Sequence, residues 1–264
     1  MIRILYTGDV CGSPGRETLK DVLPEIRKKE KVDLVVCDIE NLAHGKGATE
    51  KTVMEIMSYG VDFMTAGNHI WRRPDFEVLL SGEYPIIRPI NYPEDLPGKG
   101  YQIVDLGKKG KVLFSIVLGR AFFPNENVTM DMVRPLENMM KEVENERLSA
   151  SIIEVHAEST SEKVSLGLMF DGKVSAVLGT HTHVPTADER LLPNGTGFIT
   201  DLGMVGPQDS SLWVKPEIIF QQMKYPYSPA YDIQEDGKCR FDAVILEIEN
   251  DKSCAIIKRV NKLL

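Results

Sequence analysis

The chain has 264 residues, 27% of them charged, which is enough length to bury a substantial core and excludes a disordered tail protein. Its 31 Lys and Arg against 39 Asp and Glu leave a formal charge of −8, disfavouring a protein that tracks polyanions over a wide surface, because such binding needs clustered basic residues. Mean hydropathy is −0.16, no run reaches the roughly 18 uncharged apolar residues of a membrane span, and Met1–Asp9 runs straight into strand-like sequence, so the expectation is a cytoplasmic protein with no signal peptide.

In chain order, Ile2–Tyr6 reads as a short strand ending at Gly8-Asp9, and Ser13-Pro14 offers a cap and a first-turn proline for a helix to about Lys28. Asp33–Asp38 reads as a second strand, residues 41–48 as a loop, Thr49 as the cap of a helix to about Ser58, and Val61–Ala66 as a third strand. Residues 84–100 are turn-rich, and the apolar runs Gln102–Leu106 and Val112–Leu118, joined by Gly107-Lys108-Lys109-Gly110, predict a hairpin. A helix from about Met130 to Glu146, a strand Ala150–Val155, a helix around Ser161–Phe170 and a strand Val174–Leu178 follow. Leu191–Ile199 predicts a hairpin about Asn194-Gly195, and Ala243–Ile248 with Ser253–Val260 predicts another about Asn250-Asp251. Alternating β and α elements imply an α/β fold with a parallel or mixed sheet and helices on its face. No repeat or linker interrupts the chain, so one domain over residues 1–264, built from two βα-containing halves, is expected.

The four cysteines, Cys11, Cys37, Cys239 and Cys254, lack C-x-x-C spacing, which reads as free, mostly buried thiols rather than a zinc ribbon or a disulfide framework. The five histidines are His44, His69, His156, His181 and His183, and every one falls just beyond the predicted carboxyl end of a strand, where open α/β sheets place their ligands. Asp9, Glu40, Asn41 and Asn68 stand at equivalent places. Taken singly, His156 is ordinarily a polar cap, Asp9 a turn residue and Asn68 a loop cap. His181-Thr182-His183 says more, because residues two apart in an extended segment share a face and can address one cavity. Carboxylate, amide and imidazole donors converging from several strands suit Mn, Fe or Zn better than Ca or a thiolate-bound zinc. Asp9, Glu40, Asn41, Asn68, His156, His181 and His183 together exceed the four ligands of a structural zinc, so two metals sharing a bridging carboxylate are expected.

Gly8-Asp9, Glu40-Asn41, Gly67-Asn68-His69, His156 and Gly179-Thr180-His181-Thr182-His183 resemble, in order, the motifs of the calcineurin-like metallophosphoesterases. Gly8–Arg16, Glu40–Gly47, His156–Lys163 and Thr200–Pro207 extend that resemblance to the bacterial YmdB-type branch, over residues 1 to about 260. The resemblance implies an αββα four-layer sandwich, a binuclear centre loaded with Fe or Mn, or with Zn, and a phosphodiesterase acting on cyclic nucleotides, 2′,3′-cyclic or 3′,5′-cyclic AMP. It implies that Asp9, Glu40, Asn41 and His183 serve one metal, that Glu40 bridges to a second held by Asn68, His156 and His181, and that His69 is the catalytic acid. The chain departs from the wider superfamily in carrying Cys11 where a D-x-H histidine stands, with Asn41 as the compensating ligand, and in having Glu40 as the bridging acid. A homo-oligomer is a further expectation from the family.

Two divalent ions would offset the phosphodiester's charge and supply hydroxide at neutral pH to attack phosphorus, while His69 would protonate the basic ribose leaving group. His44 and Lys46, in the loop after Glu40, are candidate contacts to phosphate or base, Arg72, Arg88 and Arg120 are candidates to contribute positive charge, and Glu158 is a candidate for orienting an imidazole. The alternatives keep the metals but take a phosphomonoester, nucleotide or nucleic-acid substrate, or make the protein a regulatory nucleotide-binding protein that docks a partner. No extended nucleic-acid surface and no membrane contact are expected.

Overall fold

The computed structural model describes residues 1–123, 131–227, 229–249 and 252–264. The chain first forms β1 (Ile2–Val10), α1 (Gly12–Lys29), β2 (Leu34–Asp38), α2 (Glu50–Ser58), β3 (Phe63–Thr65), α3 (Phe76–Leu79) and β4 (Ile86–Ile87). There follow β5 (Tyr101–Asp105), β6 (Lys111–Leu118), α4 (Arg134–Glu142), β7 (Leu148–His156), α5 (Thr160–Met169) and β8 (Ala176–Thr180). The last part adds β9 (Arg190–Leu191), β10 (Gly197–Ile199), β11 (Met204–Pro207), α6 (Pro216–Lys224), β12 (Cys239–Ile248) and β13 (Cys254–Leu263).

These strands make a seven-stranded sheet in the order β13-β12-β11-β1-β2-β3-β4 and a six-stranded sheet in the order β5-β6-β7-β8-β10-β9. Strands β1 to β4 run parallel, as do β6, β7, β8 and β10. Such central strands are covered on both faces, which is why Leu34-Val35-Val36-Cys37 is continuously apolar rather than alternating. Ile4, Tyr6, Val36 and Phe63 of the first sheet pack against Phe114, Ile116, Ile152 and Leu178 of the second. Phe63 and Phe114 stack there with centroids 4.8 Å apart, a pairing worth about 0.5–1.5 kcal/mol beyond its buried area. The first sheet's other face packs Leu5, Val35 and Met64 with Leu19 and Ile26 of α1 and Val53 of α2. The second sheet's outer face packs Val117 and Ile153 with Leu136 of α4 and Leu166 of α5. The result is the expected αββα sandwich.

Several boundaries move for local reasons. The first helix begins at Gly12 rather than at a Ser13 cap, because Gly12 N donates to Asn41 O at 3.0 Å and Cys11 takes the extended cap position. Thr49 does cap α2, in a reciprocal box with Thr52. The helix expected from Met130 starts at Arg134, where the Asp131 carboxylate accepts from Val133 N at 3.0 Å and Arg134 N at 2.6 Å; Met130 itself, like the Asn250-Asp251 turn, lies outside the described residues. The three expected hairpins form as antiparallel pairs β5–β6, β9–β10 and β12–β13. Strands β4 and β11 and helix α6 carry no sequence signal of their own, being two to four residues long or, in α6, without a buried side chain. Among the described residues no helix is long and apolar enough to cross a membrane.

Candidate metal centre

The carboxyl ends of β1 and β2 meet those of β7 and β8 across the sandwich, and that convergence builds the site. Asp9, next to the last residue of β1, is fully buried and accepts from His181 N at 3.2 Å through Oδ2, while its Oδ1 lies 3.5 Å from His183 Nε2. Glu40, just beyond β2, is also fully buried, with Oε2 at 3.1 Å from both His156 Nε2 and His69 N. His156 Nε2 in turn lies 3.1 Å from His181 Nδ1. One ligand atom from each of Glu40, His156 and His181 lies within 4.8 Å of the others. Asn41 donates through Nδ2 to Gly45 O at 2.8 Å, which turns its Oδ1 the other way.

Four oxygens of the candidate ligands, Asp9 Oδ1, Glu40 Oε1, Asn41 Oδ1 and Asn68 Oδ1, are buried with no hydrogen-bond partner. Leaving such groups unsatisfied costs about 1–3 kcal/mol each, whereas bound cations would satisfy all four, so the residues present fit a metal centre. The backbone is shaped for the same end. A Cβ on Gly67 would stand 2.2 Å from Glu40 Oε2 and 2.5 Å from His156 Nε2, so only glycine lets the third strand's end pass between them.

The surroundings set the electrostatics. His156 Nδ1 lies 3.1 Å from Asp38 Oδ2 and 2.9 Å from Thr180 Oγ1. Thr180 donates to Glu154 Oε1 at 2.7 Å, and Tyr6 donates to Glu154 Oε2 at 2.6 Å. With both neighbours accepting, Nδ1 carries a proton, so Nε2, which points to Glu40 and His181, is the nitrogen that would turn a lone pair to a bound cation. His183 is arranged alike, since its Nδ1 donates to Leu212 O at 3.2 Å and leaves Nε2 towards Asp9. Burial disfavours every charge here, yet attraction to His156 and His69 pulls the Glu40 carboxyl well below the usual range, and Glu40 and Asp38 raise His156 well above its own. Burial, with Asp9 and Glu154 nearby, holds Asp38 well above the carboxylate range, and burial beside His156 pushes His181 down to about 3. Burial likewise raises the Cys11 thiol, which donates to Asp9 O at 3.6 Å.

Asp9, Glu40, His156, His181 and His183 come together by these distances, Asn41 lines the same cavity, and Asn68 lies between Gly67 and His69, both of which approach Glu40, although not always as expected. His181 and His183 do not extend β8: the strand ends at Thr180, and both take left-handed backbone, with φ of 93° and 62°. They reach one cavity because the turn between them is pinned, with Asp201 Oδ2 accepting from Thr182 N at 3.1 Å, from Thr182 Oγ1 at 2.6 Å and from the buried Lys163 at 2.7 Å. Glu158 Oε2 lies 3.3 Å from His181 Nε2. Lys46 lines the cavity of about 330 Å³ above the cluster together with His69. His44 does not; exposed, it lines a separate cavity with Arg16 and Arg73. Arg88 is buried and donates to the carbonyls of Pro89 at 2.8 Å and Pro93 at 3.1 Å, holding the 89–99 loop, while Arg72 and Arg120 are exposed away from the cavity lining.

The family described as YmdB-like protein matches residues 5–260. A 2′,3′-cyclic-nucleotide 2′-phosphodiesterase of Bacillus subtilis (strain 168) is 38% identical over 260 residues, covering 98% of this chain and 96% of that protein. The chain belongs to the YmdB-like family. Two crystal structures resemble this YmdB-like chain closely. A hypothetical protein from Thermus thermophilus superposes with a TM-score of 0.92 at 36% identity, covering 99% of each chain. A novel phosphatase of Mycoplasma pneumoniae superposes with a TM-score of 0.89 at 28% identity, covering 99% of this chain and 93% of that one. Within this YmdB-like site the residues that motif reading did not single out are Asp38, Glu154, Thr180 and Asp201. Asp38 and Glu154 do carry a signal, since each is an acid in or at the end of an otherwise apolar strand, and a charge there must find a buried partner.

Proposed function

We propose that this chain is a metal-dependent phosphodiesterase that opens cyclic nucleotides, with residues 1–264 acting as one catalytic domain. It is a phosphoric ester hydrolase, in keeping with the phosphodiesterase and phosphatase named among its relatives. The observation that carries the finer reading is the set of four buried oxygens without a hydrogen-bond partner on Asp9, Glu40, Asn41 and Asn68, two of them 3.3 and 3.5 Å from imidazole nitrogens, beside the convergent Glu40, His156 and His181. Asp9, Asn41 and His183 would hold one cation and Asn68, His156 and His181 a second, with Glu40 serving both, and Fe or Mn, or else Zn, suits those donors. Bound there, divalent ions supply positive charge to phosphoryl oxygens and acidify water. The chain's own residues hold and orient that set: Asp38 and Thr180 keep the His156 proton on Nδ1, and Leu212 O keeps that of His183 on Nδ1. His69, 20% exposed at the cavity and one residue beyond Asn68, is placed to give a proton to the leaving ribose oxygen.

Elemental analysis of the purified protein is expected to find about two transition-metal ions per chain, and the same sample is expected to hydrolyse 2′,3′-cyclic AMP. Assays with 3′,5′-cyclic AMP, bis-p-nitrophenyl phosphate and p-nitrophenyl phosphate define the range of esters. No metal and no turnover after reconstitution with Mn or Fe would overturn the proposal. Gly67→Ala tests the close approach of the third strand. The added methyl forces Glu40 and His156 apart, so Mn²⁺ affinity in a calorimetric titration is expected to fall about 10- to 100-fold, as when the surroundings of a ligand are disturbed.

A further inference from the structure

The cavity above the cluster has two unlike faces. Its lining divides into a polar part, the floor, of Glu40, Asn41, His69, His181 and His183 with Glu158, and an apolar part, the wall, of Leu212, Trp213, Val214, Ile219 and Tyr231. The wall is built into the fold. Val214 makes β-bridges to Ser211 and Ile233, Trp213 N donates to Ser210 Oγ at 2.9 Å, and Leu212 O accepts from His183. Gly45, at φ 76°, lets the Trp213 ring in, because a Cβ there would stand 2.3 Å from it. Trp213 is 6% exposed, whereas Tyr231, edge-on to it at 6.1 Å, is 46% exposed. Lys46 Nζ lies 4.8 Å from the centroid of the Tyr231 ring, and Lys46 is the one Lys or Arg among the described residues that line the cavity.

A floor that takes an anion, opposed to a wall ending in an exposed aromatic ring, matches a ligand with phosphate at one end and a flat ring at the other. We propose that Tyr231, backed by Trp213, is the platform on which the nucleobase stacks, so that it sets the preference for nucleotides over base-free cyclic phosphates. This rests on the cyclic-nucleotide reading above. An aromatic face attracts an ammonium and stacks a base equally well, so a base arriving on the face now held by Lys46 releases that ammonium for the phosphate.

The test compares the Mn-loaded wild type, Tyr231→Phe and Tyr231→Ala on 2′,3′-cyclic AMP and on 1-O-methylribose 2′,3′-cyclic phosphate, which has the same reacting ring and no base. Tyr231→Ala is expected to raise KM for cyclic AMP about tenfold, equivalent to about 1.4 kcal/mol, with kcat unchanged. Its turnover of the base-free ester should match the wild type, and Tyr231→Phe should behave as wild type on both. If both esters are turned over and Tyr231→Ala slows them equally, or slows neither, the platform is overturned while the phosphodiesterase reading stands. If the wild type turns over neither ester, the cyclic-nucleotide reading fails and the platform falls with it.

Discussion

Glu40→Gln is expected to yield a folded protein that binds little metal and hydrolyses 2′,3′-cyclic AMP about 10³-fold more slowly than the wild type. The substitution keeps the side chain's shape, so the packing around a fully buried position is undisturbed. What changes is charge and donor pattern. Oε2 now faces His156 Nε2 and His69 N, while Oε1 has no hydrogen-bond partner. An amide can present only one oxygen, and its NH₂ in the other place carries no lone pair for a cation. The stability of the metal-free protein separates this from a folding defect. Asp9, Asp38, Glu40 and Glu154 are four carboxyl groups at zero exposure, but the Glu40 charge is held by His156 and His69, so removing it forfeits an attraction and costs stability in the metal-free protein. The metal-free Tm of Glu40→Gln is therefore expected to fall below that of the wild type while unfolding stays one cooperative transition, and the rise in Tm on adding Mn²⁺, which follows from binding to the native state alone, shrinks. A variant with wild-type metal content and turnover would remove Glu40 from the centre.

The parts of the fold legible in the sequence are those whose burial leaves a pattern. Leu34–Cys37 and Ala176–Leu178 stand out because parallel strands covered on both faces admit little but apolar side chains. Thr49 stands out because a cap has its own chemistry. Helix α6 has no buried residue and so no apolar stripe to reveal it, and β4, of two residues, is too short to show a period. The site divides in the same way. Donor residues at strand ends can be counted along the chain, and Asp9 does meet His181 and His183 while Glu40 meets His156. Their supports cannot be counted so simply. Lys163 and Asp201 are 38 positions apart and hold Thr182 jointly; nothing in either residue alone announces a buried pair whose breaking would cost about 3–5 kcal/mol. The spacing of His181 and His183 suggests a shared face of a strand, whereas two left-handed residues in a pinned turn achieve the same end. His44 and Lys46 part company for a related reason, since φ is positive at both His44 and Gly45 and the chain reverses between them, so Lys46 faces the cavity and His44 its neighbour.

His69→Ala is expected to retain full metal content and to lose about 10²- to 10⁴-fold in kcat on 2′,3′-cyclic AMP, the range for a positioned proton donor. The geometry separates His69 from the ligands. Its Nδ1 lies 3.3 Å from Asn41 Nδ2, whose other hydrogen goes to Gly45 O, and 3.3 Å from Glu40 Oε1. When the ring is charged, Nδ1 donates to Glu40 Oε1 and the Nε2 proton is available to a substrate oxygen. Burial, followed by repulsion from His156, Lys46 and Arg72 against the attraction of Glu40, lowers the affinity of His69 for its second proton. The imidazolium is thereby a stronger acid, though a smaller fraction of it is present at neutral pH. The choice of leaving group isolates this role. A ribose alkoxide is strongly basic and must be protonated as it departs, whereas p-nitrophenolate leaves unaided. The loss on His69→Ala should therefore be large with cyclic AMP and small with bis-p-nitrophenyl phosphate, at equal metal loading. Equal losses on the two esters would mean that His69 shapes the cavity and does not supply the proton, and the acid would then have to be sought in Lys46 or Glu158, which also line it.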